Sequence, residues 1–147
     1  MTARFDKFLP FIFKWEVVRD KKGNVITEHD PQDPGGATRW GIDQRSHPRI
    51  NVDTLTEADA RGIYWDEWQA RGIETMSNGL GEVYFNCCVN CGVGRARKIL
   101  AKCHTASSFL TEQENFYQRL VDAKPSLRKF LKGWLNRTKD LRKFIGA

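Results

Sequence analysis

The sequence predicts a mainly α-helical chain with one small β-hairpin after the first helix. Apolar residues recur at the 3.6-residue period over most of the 147 positions, two Thr-x-x-Asp/Glu capping signatures open such stripes, and the paired-strand pattern is confined to one short stretch. The length is that of one ordinary domain with a real core. We read it as a single domain with two lobes, residues 1–77 and 78–147, without internal repeat, low-complexity segment or linker.

Phe5, Phe8, Leu9, Ile12 and Phe13 lie on one face of a first helix that runs to about Trp15, with Asp6 as its expected N-cap and Pro10 early enough to be tolerated. Glu16 therefore sits at a helix C-terminus. There the negative end of the macrodipole, with desolvation by Trp15 and Val17, is expected to favour the protonated carboxyl that a general acid needs. Next, Val17-Val18 and Val25-Ile26 flank the polar tip RDKKGN, a short hairpin pattern. The following HDPQDPGGAT holds two Asp-Pro pairs and a Gly-Gly, and reads as a loop whose glycines let backbone approach a ligand. Thr56-x-x-Asp59 opens a second helix striped by Ala60, Ile63, Tyr64 and Trp68.

Residues 78–91 are apolar on nearly every side, the mark of a helix buried mid-domain. After Gly92 and Gly94 come a basic helix marked by Ala96, Ile99, Leu100 and Cys103, then one opened by Thr111-x-x-Glu114 and ended by Lys124-Pro125. The last helix, from about Ser126, is expected to bury Leu127, Phe130, Leu131, Trp134 and Leu135.

Composition narrows the function classes. No apolar stretch approaches the ~20 residues that span a bilayer, and the first residues lack a secretory signal pattern. A soluble chain made in the cytoplasm is expected. Cys87, Cys88, Cys91 and Cys103 crowd into one apolar region, which fits a reducing compartment rather than a disulfide framework. Cys88-x-x-Cys91 with Cys103-His104 nominally offers four ligands, but small weakly polar residues in a buried helix read as packing, so neither metal nor cofactor is expected. Charge is uneven: residues 1–94 carry 11 Lys+Arg against 14 Asp+Glu, net −3, and residues 95–147 carry 13 against 4, net +9. Such a basic element suits an anionic polymer, whether nucleic acid, teichoic acid or cell-wall glycan with its peptide carboxylates. Phe130 and Trp134, four apart among leucines, read as core rather than as a base-stacking platform, so nucleic acid is not the expected partner.

Glycoside hydrolysis needs a proton donor for the leaving oxygen and usually a second carboxylate. Glu16 supplies the first. Glu28, Asp30 and Asp33 all lie in the segment that can fold back over it, Thr38 offers a hydroxyl to position water, and spacing does not choose among the three carboxylates.

The Trp15-Glu16 pair, DPQDPGGATRWGIDQR over residues 30–45, and LTEADARGIYWDEW from Leu55 resemble the glycoside hydrolase family 108 muramidases of phage endolysins and bacterial protein-release systems. YFNCCVNCGVGRARKIL from Tyr84 and FYQRLVDAKPSLRKFLKGWLNR from Phe116 resemble the peptidoglycan-binding region that follows in that family. The resemblance covers nearly the whole chain. It implies a lysozyme-like fold and cleavage of the β-1,4 bond between N-acetylmuramic acid and N-acetylglucosamine. Glu16 would be the acid, with Asp33 and Thr38 holding water or stabilising positive charge. The cleft would lie between that lobe and the later helices. Trp40, Tyr84 and Asn90 are candidate substrate-binding residues, a core role being equally open for the two aromatics. Three departures stand out: Val17-Val18 where relatives have Gly-Gly, extra length at residues 21–24, and Asn86 where relatives commonly have Asp. The expected partner is bacterial peptidoglycan, bound by a monomer that reaches the wall through a holin or a dedicated release system. The rival readings are a lytic transglycosylase using Glu16 alone and a non-catalytic wall-binding module.

Overall fold

The computed structural model describes residues 1–32 and 36–147. Asp33, to which the resemblance assigns a catalytic role, lies outside the described residues, as do Pro34 and Gly35. The described chain is mainly helical and divides into two compact units, Met1–Ala70 and Arg71–Ala147. Among the described residues, no helix is long and apolar enough to cross a membrane.

The first unit is built on α1 (Ala3–Glu16), which buries Phe5, Phe8, Leu9, Phe11 and Ile12. Its N-cap is Thr2, whose Oγ1 accepts the Phe5 N–H at 3.2 Å, and not Asp6. Asp6 lies inside the first turn, where its carboxylate pairs with Arg61 at 2.8 Å. The sheet is an antiparallel pair, β1 (Thr38–Arg39) and β2 (Ile42–Asp43). The regular hairpin thus falls later in the chain than the valine pairs predict. Around the polar tip the expected pairing forms as a short irregular hairpin: Arg19 bridges Val25, the Ile26 N–H donates to the Val18 carbonyl at 3.0 Å and the Asp20 N–H to the Asn24 carbonyl at 2.9 Å, while Asp20 Oδ1 accepts the Lys22 and Asn24 N–H groups at 2.9 Å each. Side-chain bonding at the tip competes with an extended ladder there.

A 3₁₀ turn, Val52–Thr54, leads into α2 (Glu57–Ala70). The expected capping box forms: Thr56 Oγ1 accepts the Asp59 N–H at 3.1 Å and Asp59 Oδ2 the Thr56 N–H at 3.0 Å. The Thr56 backbone N–H, and after it the Thr56 side-chain hydroxyl, hold the Asp59 carboxyl below its usual range. Ala60, Tyr64 and Trp68 are buried, with Trp68 against Phe5 and Phe8 at ring separations of 5.5 and 6.1 Å. Burying a ring of that size stabilises the unit by about 3 kcal/mol.

The second unit is organised on α3 (Leu80–Cys91), in which residues 81–87 are all buried. Around it stand α4 (Val93–Leu100), α5 (Ala106–Ala123) and α6 (Arg128–Ile145). The basic helix α4 ends at Leu100, short of the buried Cys103. Helix α5 begins earlier than Thr111: Thr105 is its N-cap, its Oγ1 accepting the Ser108 N–H at 3.1 Å. Thr111 is left in the helix interior, because a cap one and a half turns upstream already satisfies the first orphan donors.

Helix α6 also differs from expectation. Its buried residues are Arg137, Thr138 and Leu141, whereas Phe130 is 46% exposed and Leu131, Trp134 and Leu135 are half-buried. Rings cover one another instead: Trp134 stacks on Tyr117 at 5.0 Å and on Phe130 at 5.9 Å. The buried Arg137 Nε donates to Asn86 Oδ1 at 2.9 Å. This contact gives the Asn86 departure a physical setting, since a carboxylate there would face a buried guanidinium. Asn86→Asp is expected to raise stability at neutral pH by about 1–2 kcal/mol, because it removes a buried amide nitrogen that has no hydrogen-bond partner among the described residues and sets an opposite charge against the guanidinium. An aspartate held by Arg137 would have a lowered pKa. The gain should therefore be present above the unfolded carboxyl pKa of about 3.9 and be lost as pH falls through the folded value. Thermal unfolding across acid and neutral pH measures it.

Candidate active site

Glu16 is the last residue of α1, and the chain leaves the helix at Val17, whose N–H still reaches the Phe13 carbonyl at 3.0 Å. The residue is half-buried. What holds its stem is the β1–β2 turn. A Cβ added at Gly41 would stand 2.7 Å from Glu16 Cβ and would also collide with the Tyr64 hydroxyl. Backbone without a side chain is thus pressed directly against the glutamate.

The turn itself is unusual in sequence. Trp40 and Gly41 have φ of 57° and 75°, the pattern of a primed hairpin turn that normally calls for Asn-Gly. A tryptophan at positive φ is strained, and its neighbours over-determine it. The Trp40 ring is 8% exposed. Its Nε1 donates to the Leu55 carbonyl at 3.2 Å, and its own carbonyl accepts the Tyr64 hydroxyl at 2.9 Å. Phe13 packs against the ring at 5.1 Å, and the Arg19 guanidinium lies over it at 5.8 Å. Arg39 ties the hairpin down from the next position, donating to the carbonyls of Leu55 and Val25 at 3.1 Å each.

Thr38, on β1, is paired on both sides. It faces Asp43 across the sheet, and on its other edge it exchanges two backbone hydrogen bonds with Glu28, of 2.8 and 2.9 Å. Directly opposite residues in antiparallel pairs share a face. Glu28, Thr38 and Asp43 therefore form a row of carboxylate, hydroxyl and carboxylate on the face opposite Arg39 and the buried Ile42. Glu28 is exposed, while Thr38 and Asp43 are half-buried. Asp43 Oδ2 also accepts the Ser46 N–H at 3.0 Å.

The other candidates fall as follows. Asp30 is exposed and Oδ1 accepts the Gln32 N–H at 2.9 Å, a local turn bond. In the second unit Tyr84 is 4% exposed, and burial raises its hydroxyl pKa. Half-buried Asn90 accepts the Tyr117 hydroxyl through Oδ1. Burial places both Trp40 and Tyr84 in the cores of their own units.

Sequence reasoning missed Gly41, Tyr64 and Asp43. The signal for the first and last was the alternation of Thr38 to Asp43 about a Gly, masked by the tryptophan at the turn. Two of the grooves on the first unit are lined by described residues alone. One, about 560 Å³, is lined by residues including Ile50, Leu55, Ile63 and Asp66. The other, about 530 Å³, is lined by residues including Phe13, Lys14, Val17 and Arg19. Neither is lined by Glu16 or Thr38, though Val17 brings the second to the residue beside Glu16.

The arrangement offers a carboxyl group at a helix end, fixed against a rigid turn, and a carboxylate-flanked hydroxyl on the strand leading into that turn. These are groups that acid catalysis and water handling use. Comparison with known proteins bears on which chemistry they serve. No curated protein matches the chain in sequence. The fold is similar to that of SagA from Brucella abortus, with a TM-score of 0.70, 22% identity, and coverage of 95% of this chain and 91% of that one. The family model "Glycosyl hydrolase 108" matches residues 11–92, a span that takes in Glu16, Thr38 and the hairpin. The chain therefore belongs to the glycosyl hydrolase 108 family, a membership that implies a lysozyme-like peptidoglycan hydrolase.

Proposed function

We propose that the chain is an N-acetylmuramidase, cleaving the β-1,4 bond between N-acetylmuramic acid and N-acetylglucosamine with Glu16 as general acid. The observation that carries this reading is the clamp on Glu16, where α1 ends against Gly41 in the turn that follows Thr38. A general acid must be held within hydrogen-bond reach of the leaving oxygen, and a helix end wedged on a side-chain-free turn restricts where the glutamate can go.

In this reading Glu16 gives its proton to the glycosidic oxygen as the bond to the muramic acid carbon breaks. Asp33 and Thr38 hold the attacking water or stabilise the oxocarbenium-like charge. Glu28 and Asp43, flanking Thr38, add negative potential on that face. The +9 of residues 95–147 holds the anionic wall polymer. The enzyme is proposed to act as a monomer on wall peptidoglycan, after cytoplasmic synthesis and release through a holin or a dedicated secretion system, with lysis as its outcome.

Product chemistry tests the bond assignment. Soluble fragments from purified peptidoglycan should carry reducing N-acetylmuramic acid ends by mass spectrometry. Anhydro-muramic ends would place the chain among the transglycosylases instead. Thr38→Val should lower the rate about 10- to 100-fold with unchanged thermal stability, as expected for a group that positions water rather than transferring the main proton.

A further inference from the structure

The last turn of α3 gathers polar groups around a sulfur that the glycosidase reading does not use. Cys87 and Cys91 share one helix face, one turn apart. Cys87 is fully buried and Cys91 half-buried, and all four cysteines are unbridged. Around Cys91 Sγ lie Asn90 Oδ1 at 3.4 Å, Tyr117 Oη at 3.6 Å and Gln113 Nε2 at 3.8 Å. The Cys87 thiol forms a further hydrogen bond to it. Gln113 is fully buried; its Nε2 also donates to Tyr117 Oη at 2.7 Å, and its Oε1 has no hydrogen-bond partner among the described residues.

Two proton arrangements compete in this cluster. With Cys91 as a thiol, its S–H has Asn90 and Tyr117 as acceptors, and the Tyr117 hydroxyl donates to Asn90. With Cys91 as a thiolate, Cys87 S–H, Tyr117 O–H and Gln113 N–H all have one anionic sulfur to donate to. Tyr117 has a single hydrogen, so ionisation draws it away from Asn90. The end of the helix dipole opposes the anion. The Arg137 guanidinium favours it.

We propose that Cys91 is a covalent modification site for small disulfides and comparable soft electrophiles, with Cys87, Tyr117 and Gln113 as the donors that hold its thiolate. In the step, Cys91 sulfur attacks one sulfur of the disulfide. A new S–S bond forms, the reagent's S–S bond breaks, and its second half departs as a thiolate, so the reagent itself is the oxidant.

Titration agrees with the geometry. The Cys87 hydrogen bond, opposed by burial and helped by Tyr117, Gln113 and Arg137, lowers Cys91 to about 7. Cys87 moves up, through the hydrogen bond it gives to Cys91 and then through burial. At pH 7 a thiol with a pKa of about 7 is about half ionised, against about 3% for an ordinary one near 8.5.

The test uses the folded chain and dithionitrobenzoate, an aromatic disulfide whose released thiolate is coloured, with peptide mapping by mass spectrometry. The first equivalent should map to Cys91, at least about 10-fold faster than Cys87 or Cys103, with its rate half-maximal near pH 7. Tyr117→Phe should move that midpoint up, a change that lost packing alone would not produce. Where that variant does not fold, the wild-type map and profile decide. First modification at Cys88, no modification before denaturant, or an ordinary thiol midpoint would each overturn the proposal.

Discussion

Gly41→Ala is expected to cost both the fold of the first unit and its activity. Two terms add. Position 41 has φ of 75°, where a Cβ costs about 1–2 kcal/mol. That Cβ would also fall 2.7 Å from Glu16 Cβ and against the Tyr64 hydroxyl, an overpacking worth about 1–3 kcal/mol. The sum, about 2–5 kcal/mol, is a large share of a marginal stability, and the melting temperature should fall on the order of 10 °C. Gly41→Ala differs from a surface change in one further respect. Relief of the clash means moving either the turn or the Glu16 stem, so any protein that remains folded should still be slower. Scanning calorimetry together with a rate measured well below the new melting temperature separates the two effects.

Glu16→Gln should leave the fold intact and remove the proton. The two side chains are nearly isosteric, and the Gly41 turn meets the residue at its Cβ and Cγ, which the substitution leaves in place. Replacing a general acid with an amide takes away the part of catalysis that it supplies, about 10²- to 10⁴-fold. Wall binding should not change, because the net +9 that attracts the polymer lies in residues 95–147. An activity loss together with a lowered melting temperature would instead make Glu16 a structural residue.

Much of the fold was legible because helices are local. The α2 capping box and its Ala60, Tyr64, Trp68 stripe, and the apolar run that became α3, all follow from neighbours within four residues. The misplacements have equally local causes. Thr111-x-x-Glu114 has the spacing of a capping box, but Thr105 with Ser108 caps the same helix first. The leucine and aromatic stripe of α6 has core spacing, yet its rings are covered by one another, and a buried arginine takes a core position by bonding Asn86.

Glu16 was legible for the same reason as the helices, standing where an apolar stripe stops. Its surroundings were not. Gly41 matters because it meets Glu16 across 25 positions of sequence, and Asp43 matters because a strand register sets it beside Thr38. The turn that creates both contacts carries a tryptophan at positive φ, where local rules ask for asparagine or glycine. Long-range contacts hold that conformation: Phe13 and Arg19 against the Trp40 ring, and hydrogen bonds with Leu55 and Tyr64.

The most direct test of the central claim is digestion of purified peptidoglycan by wild type and Glu16→Gln side by side, at matched folded concentration. The account predicts soluble fragments with reducing muramic acid ends from wild type and almost none from the variant, with both binding the wall equally. Fragment release by Glu16→Gln at the wild-type rate would contradict it, because the proton would then come from another residue.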